Sequence, residues 1–342
     1  MANPMILVTG GTGYIGSHTV VELQQAGFET VIIDNLSNST AEVVDGITRI
    51  TGVRPHFEKV DCCDQKAVEN VFEKYPNISG VIHFAASKSV NESVEKPLLY
   101  YRNNILSLLT ILEEMKKRNI AHFVFSSSCT VYGQPDKLPV SEESPIKKAT
   151  SPYGNTKQIC EEILYDIAHS ENKLQTILLR YFNPIGAHPS AEIGELPVGI
   201  PQNLVPFITQ TAAGIRQELS VFGNDYNTPD GSCIRDYINV VDLARAHVVA
   251  VNYLLNKQNK EAVEAFNIGT GQGLSVLELI AVFQKATDLK LPYKIVARRA
   301  GDIEQIFADA QKANTVLGWE AKETIEDTLL SAWNWEKRIR GI

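Results

Sequence analysis

Tyr153 and Lys157 stand four residues apart in the segment SPYGNTKQ, residues 151–158. Ser151 and Pro152 read as the cap and first turn of a helix, which would place both side chains on one face. A free phenol titrates near pH 10 and is a poor base at neutral pH. A neighbouring ammonium, with a cationic nicotinamide ring, would favour the phenolate and draw its pKa towards about 7. That chemistry is general-base removal of a proton from a hydroxyl. A surface tyrosine over a solvated lysine would show the same spacing, so the pair needs support from elsewhere in the chain.

Support lies upstream. FVFSSSCTVYG (123–133) is an apolar strand running into three serines. Ligands bind beyond the carboxyl ends of strands in open α/β sheets. A hydroxyl there could hydrogen-bond a substrate hydroxyl and relay its proton to Tyr153; a Ser-rich loop that only caps the strand is the plainer alternative. Near the N-terminus, ILVTGGTGYIGS (6–17) sets Gly10, Gly13 and Gly16 directly after an apolar run. One glycine permits a tight turn, one lets backbone approach a pyrophosphate, and one lets the helix pack on the strand. The pyrophosphate would sit at the helix N-terminus. Asp34 ends the next apolar strand, placed to bind an adenosine ribose hydroxyl. No Arg occurs in 35–48 to neutralise a 2′-phosphate, so the expected cofactor is NAD rather than NADP. No Walker-type G-x-x-x-x-G-K-[ST] occurs.

These residues need a frame. Short apolar runs at Met5–Val8, Val31–Ile33, Val81–Phe84 and Phe123–Phe125 alternate with amphipathic helical patterns. That alternation predicts a doubly wound parallel α/β sheet of Rossmann type. The expected division is a dinucleotide-binding domain over 1–180 carrying Ser, Tyr and Lys, and a smaller mixed α/β lobe over 181–342. Segments such as 236–256 are expected to return to the first domain. Residues 182–202 carry four prolines and three glycines and read as one long loop. Helices are expected near 241–256, 275–285 and 324–340, and Leu106, Leu109 and Leu112 read as a buried stripe.

Composition bounds the rest. The chain has 342 residues, 44% hydrophobic and 21% charged, with a formal net charge of −8. These are the proportions of an ordinary globular protein, and the acidity argues against a nucleic-acid partner. The cysteines at 62, 63, 129, 160 and 233 show neither C-x-x-C nor zinc-ligand spacing, so reduced thiols in a cytoplasm are expected and no metal is. MANPMILVTGG lacks the pattern of a signal peptide, and no apolar run would span a bilayer.

Taken together, the glycine turn, the serines and the Tyr–Lys pair resemble the extended short-chain dehydrogenase/reductase family, within it the branch that inverts C4 of UDP-hexoses. The likeness runs through TGGTGYIGSH (9–18), DNLSNS (34–39), HFAA (83–86), SSSCTVYG (126–133), SPYGNTK (151–157), RYFNPIGAHPS (180–190), GIPQNLVPF (199–207), DGSCIRDYINVVDLA (230–244) and RRAGD (298–302). The resemblance implies an isomerase interconverting UDP-galactose and UDP-glucose on tightly bound NAD with no net redox change. Tyr153 would take the 4-hydroxyl proton, hydride would leave C4 for the nicotinamide, and the 4-keto sugar would turn before hydride returned to its other face.

By the same resemblance, Ser128 is the catalytic hydroxyl and Lys157 the partner of Tyr153. Cofactor contacts fall on Gly10, Gly13, Tyr14, Ile15 and Gly16; on Asp34, Asn35, Leu36, Ser37, Asn38 and Ser39; on Asp61 and Cys62; on Phe84, Ala85, Ala86 and Lys88; and on Asn103, Ser126, Tyr153, Lys157 and Phe182. Contacts to the UDP-sugar fall on Lys88, Ser128, Tyr153, Asn183, Asn203, Leu204, Ser220, Val221, Phe222, Arg235, Tyr237, Arg299, Asp302 and Ile306. Arg235 and Arg299 suit a charge-assisted clamp on the diphosphate, although an Arg is more often in an ordinary surface ion pair. A homodimer is implied, through helices around 94–118 and 152–171. Ile306 falls where the family varies a residue near the sugar 2-substituent, and its intermediate size leaves N-acetylhexosamine counterparts open.

The nearest alternative is a nucleotide-sugar 4,6-dehydratase, which resembles this chain but carries Asp and Glu at the strand-5 turn. Cys129 and Thr130 stand there, and neither can act as a carboxylic acid. Other NAD-dependent nucleotide-sugar epimerases or decarboxylases, and a catalytically silent NAD-sensing protein, are the remaining alternatives.

Overall fold

A computed structural model describes residues 3–171, 173–299 and 302–342. Its strands, in chain order, are β1 (Met5–Thr9), β2 (Glu29–Asp34), β3 (His56–Lys59), β4 (Ile78–His83), β5 (His122–Ser128), β6 (Gln175–Tyr181), β7 (Asn183–Ile185), β8 (Leu219–Phe222), β9 (Ile234–Asn239), β10 (Val263–Ile268), β11 (Gly273–Ser275), β12 (Tyr293–Val296) and β13 (Gln305–Ile306). The helices are α1 (Tyr14–Gln25), α2 (Glu42–Thr51), α3 (Gln65–Lys74), α4 (Val90–Glu95), α5 (Pro97–Lys117), α6 (Pro152–Glu171), α7 (Leu204–Ala212), α8 (Val240–Leu255), α9 (Val276–Thr287) and α10 (Ile325–Arg340).

Seven strands form one parallel sheet in the order β10-β6-β5-β4-β1-β2-β3. Strand pleat divides each strand between two cores. Ile6 and Val8 of β1 join Val20, Val21 and Leu23 of α1 and Leu243, Ala246 and Val251 of α8 on one face. Met5 and Leu7 join Val68 and Phe72 of α3, Leu108 and Ile111 of α5 and Leu164 of α6 on the other. Burying one such aliphatic side chain contributes about 1.5–3 kcal/mol, which is why these strands read as unbroken apolar runs. Strand order reverses between β1 and β4, so the crevice beyond their carboxyl ends is the natural ligand site.

The remaining strands build a smaller unit. Strand β9 pairs with β7, β11 and β13, and β8 pairs with β12. Helices α7, α9 and α10 cover it through Val205, Ile208, Leu279, Phe283 and Leu329. The chain passes between the units more than once: β9 lies in the small sheet, the following α8 packs on the large sheet, and β10 becomes its edge strand.

Three local expectations change. The helix expected near 94–118 is two, because Pro97 starts α5 after α4 has ended at Glu95; proline is accommodated in a first turn and not in a helix interior. The stripe of Leu106, Leu109 and Leu112 is not buried as a unit. Leu106 and Leu109 are 38% and 36% exposed, while Leu108, Ile111, Leu112 and Met115 face the core. Periodicity gives the spacing of an apolar face, but α5 carries two such faces and the sheet covers one. The segment 182–202 is not all loop: it begins with β7 and closes on itself through a bridge between Ala187 and Gly194.

Candidate active site

The glycine turn is shaped by contact rather than by flexibility. Gly10 has φ +67°, and a Cβ there would come within 2.9 Å of the Ala85 backbone nitrogen. A Cβ on Gly16 would come within 2.3 Å of the Gly10 carbonyl oxygen. The turn can therefore lie flat against the end of β4 while α1 rises steeply behind it. Within α1, the Ser17 N–H donates to the Gly13 carbonyl at 2.9 Å. The preceding N–H groups of Tyr14, Ile15 and Gly16 belong to the first helical turn and point outward for an anion.

Asp34 closes the far side of this cradle. Its carboxylate accepts from the Thr12 N–H at 3.3 Å, the Leu36 N–H at 2.9 Å and the Ser39 hydroxyl at 3.1 Å. The acid thus fixes the loop Asp34–Ser39 against the glycine turn. A pyrophosphate beside amide donors, with a fixed carboxylate at the next strand end, is the donor set a dinucleotide requires. Beyond β3, Asp61 accepts from the Cys63 N–H at 2.8 Å, and Cys62 is buried. Beyond β4 come Phe84, Ala85, Ala86 and Lys88. Asn103 of α5 reaches that loop, its Nδ2 donating to the Ser87 hydroxyl at 3.2 Å.

The candidate proton-transfer groups meet where β5 ends against α6. The Ser151 hydroxyl accepts from the Gly154 N–H at 3.1 Å and so starts the helix as its sequence implies. Lys157 is buried, its Nζ donating to the Ser126 carbonyl at 2.6 Å and lying 6.0 Å from the Tyr153 ring centre. Burial lowers the Lys157 pKa to about 8. The Ser128 hydroxyl accepts from the Thr130 N–H at 3.2 Å and acts to lower the Tyr153 phenol pKa. Ser126 is bonded through its hydroxyl to Tyr181 on β6.

The expectation of a lowered phenol rests on a nicotinamide ring as well as the ammonium, and the chain's own groups act the other way. The Tyr153 phenol is held above its ordinary value, chiefly by burial, with Tyr181 adding to the rise and the Ser128 hydroxyl opposing it. The reason is geometric. Desolvation of the enclosed phenol dominates, while Lys157 gives its short hydrogen bond to the Ser126 carbonyl.

The residues matched to the UDP-sugar fall into two groups. Asn183 and Tyr237 are register partners across β7 and β9, and Arg235 and Ile306 are partners across β9 and β13. Arg235 Nη1 donates to the Ile234 carbonyl at 2.8 Å. Ile306 packs with Cys129 and Phe182 in one apolar cluster. In the second group, Phe222 stands exposed on β8 after Ser220 and the buried Val221, and the Arg299 guanidinium lies 5.5 Å over its ring. Arg299 is also paired with Asp302 at 2.7 Å. The two arginines therefore belong to different strands' surroundings, each with a partner inside the chain. Ala300 and Gly301 of the RRAGD motif lie outside the described residues.

Several positioning residues carry no sequence signal of their own. Glu195 accepts from Asn203 Nδ2 at 2.6 Å and lies 3.7 Å from Lys88 Nζ, joining contacts expected on opposite sides of the crevice. Buried Asn104 accepts from the Ser87 N–H at 2.7 Å and donates to the Thr156 hydroxyl at 3.0 Å, which in turn bonds the Tyr153 carbonyl. The doublet Asn103–Asn104 inside an otherwise apolar helical run is the one hint that could have revealed it.

Comparison with known proteins places this arrangement. The family model described as GDP-mannose 4,6 dehydratase matches residues 7–331. The UDP-glucose 4-epimerase of Dictyostelium discoideum is 51% identical, over 97% of this chain and 95% of that protein. The crystal structure of the Bifidobacterium longum UDP-glucose 4-epimerase in complex with NAD+ and UDP has a TM-score of 0.94 at 46% identity and covers 98% of each chain. The Stenotrophomonas maltophila enzyme, with bound NAD and formylated UDP-arabinopyranose, has a TM-score of 0.95 at 46% identity, covering 100% of this chain and 99% of the other.

Proposed function

The chain belongs to the UDP-glucose 4-epimerase family of extended short-chain dehydrogenases/reductases, and on that premise we propose that it interconverts UDP-galactose and UDP-glucose on bound NAD. The observation that carries the reading is the turn after β5. There Ser128 stands at the end of β5, and the next two residues are Cys129 and Thr130. Elimination of water from a hexose would need an acid and a base at those two positions. Cys129 is buried with its thiol pushed up to about 12, chiefly by burial, so it stays a neutral thiol. The same site keeps a hydroxyl, a phenol and an ammonium, the groups that proton removal at a sugar hydroxyl would use.

When bound, NAD supplies an acceptor that takes the C4 hydrogen of the hexose and gives it back. The chain's residues do the rest. Gly10, Gly13 and the first turn of α1 receive the pyrophosphate, and Asp34 receives the adenosine ribose and disfavours a 2′-phosphate. Tyr153 accepts the 4-hydroxyl proton and later returns it, with Ser128 orienting that hydroxyl. Lys157 stabilises the phenolate by its charge. Arg235 and Arg299 hold the diphosphate, so the hexose can turn while the nucleotide stays fixed.

Among the described residues no helix is long and apolar enough to cross a membrane. The five cysteines are unpaired, in keeping with a reducing cytoplasm. Leu98 and Leu99 join Leu106 and Leu109 as exposed apolar residues of α5. They suit burial against α5 and α6 of a second copy as a homodimer, a state that sedimentation in solution would test. The deciding experiment for function is incubation of the purified protein with UDP-galactose and no added NAD, followed by product separation. UDP-glucose should form, and NAD should be released on denaturation; a 4-keto-6-deoxy product would point to dehydration instead.

A further inference from the structure

Lys157 and Glu161 stand four apart on α6, the spacing at which a helix pairs opposite charges. Both are buried. They are nevertheless given to different partners. Lys157 Nζ donates to the Ser126 carbonyl at 2.6 Å. The Glu161 carboxylate is gripped in fork geometry by Arg180 of β6, from Nε at 3.0 Å and from Nη2 at 2.6 Å, and accepts the Ser127 hydroxyl at 2.5 Å. Arg180 is itself held: its Nη1 donates to the Tyr132 hydroxyl at 3.1 Å, which donates to Asn267 Oδ1 at 2.7 Å. The carboxylate therefore cannot swing one helical turn back to the lysine without breaking a bidentate pair and the bond from Ser127.

We propose that Arg180 is a positioning residue for proton transfer: by clamping the Glu161 carboxylate it denies Lys157 a counter-ion and leaves the ammonium's charge directed at the Tyr153 phenol. The inference rests on the epimerase reading above. The other groups around Lys157 do not compete for this role. His83 of β4 is kept neutral, its pKa lowered to about 3 by burial. Cys160 of α6 is a thiol raised to about 11, again by burial. Tyr181 of β6 is bonded to Ser126, and the Phe125 ring of β5 lies 4.7 Å from the ammonium. Glu161 and Arg180 are thus the charged neighbours that decide how much of the lysine's field reaches the phenol. Burial already brings Lys157 to about 8, with the Glu161 charge opposing that shift, so changes in this balance fall within reach of a kinetic titration.

The test is the dependence of kcat on pH for the NAD-loaded enzyme turning over UDP-galactose. Arg180→Met frees the carboxylate to pair with Lys157. Its alkaline limb should move to higher pH by about one unit, and kcat at neutral pH should fall roughly tenfold. Glu161→Gln leaves Arg180 bare beside Lys157, and its alkaline limb should move towards acid. The double variant Glu161→Gln with Arg180→Met removes both buried charges, a change folds often tolerate, and its limb should return to the wild-type position. If the pair serves only the fold, variants lose thermal stability while their limbs stay in place. An unmoved limb in either folded single variant, or a shifted limb in the double variant, overturns the proposal. Absence of any turnover in the unaltered chain would instead sink the epimerase reading on which it rests.

Discussion

The two sides of the crevice are held together in different ways. On the β5–α6 side, Lys157, Ser126, Ser127, Ser128 and Asn104 are buried and joined by short hydrogen bonds to backbone or to one another. On the side formed by the small unit, Asn203, Phe222 and Arg299 are exposed, and the partners of Asn203 and Arg299 are Glu195 and Asp302, whose side chains are only 12% exposed. The exposed members of these contacts keep access to water, so a phosphate can replace their partners at less cost than at a fully buried pair. A buried polar network cannot be rearranged so cheaply, because each freed group loses its partner without regaining water. The proposed proton-transfer groups are therefore already held by the fold, whereas the groups proposed to grip the nucleotide keep partners that a phosphate could replace.

The contrast can be broken at four points. Tyr153→Phe should fold, retain NAD and lose about 10²–10⁴-fold in kcat, the usual worth of a general base; near-normal product formation would remove Tyr153 from the mechanism. Acid should strike the large-sheet side before the small unit. His18 and His83 are lowered to about 3 and His247 to about 4, all chiefly by burial. The unfolded chain binds those protons below about pH 6.5 and the folded chain does not, so stability falls as pH drops through that window. Each histidine removes up to ~1.4 kcal/mol per pH unit, and Tm should fall by several degrees between about pH 7 and 5. A flat Tm across that range would contradict neutral burial of the three rings. Arg299→Ala should raise KM for UDP-galactose about tenfold and change kcat little, since a charge-assisted contact of ~1.5–3 kcal/mol holds the nucleotide in every state; a fall in kcat at constant KM would place Arg299 with the fixed groups instead. Asp34→Ala should have the smallest effect, relaxing discrimination against NADP by a few-fold, and an unchanged preference in competitive binding would leave the Asp34 carboxylate with only its structural bonds to Thr12, Leu36 and Ser39.

Legibility followed the same line. Gly10, Gly13 and Gly16, Asp34, and the Tyr153–Lys157 spacing could be read directly, because each answers a local demand: a turn, a strand end, a helix face. Strand runs such as Met5–Val8 were readable because both faces of their sheet are covered. The exposed Leu106 and Leu109 were not, because an apolar stripe does not say which neighbour covers it. Nor did the primary structure show that Tyr153 would be raised rather than lowered by its surroundings, since that depends on how deeply the phenol is enclosed.

The chain's order of residues alone determined the parallel frame, the glycine turn and the spacing of the proposed proton-transfer groups, since these depend on contacts within a few residues or on strand and helix periods. Only the tertiary structure decided the partners of the buried charges. Glu161 could have paired with Lys157 one turn away, and the packing of β6 against β5 gave it to Arg180 instead. Such a choice is made by the geometry of three separated segments, and no local pattern records it.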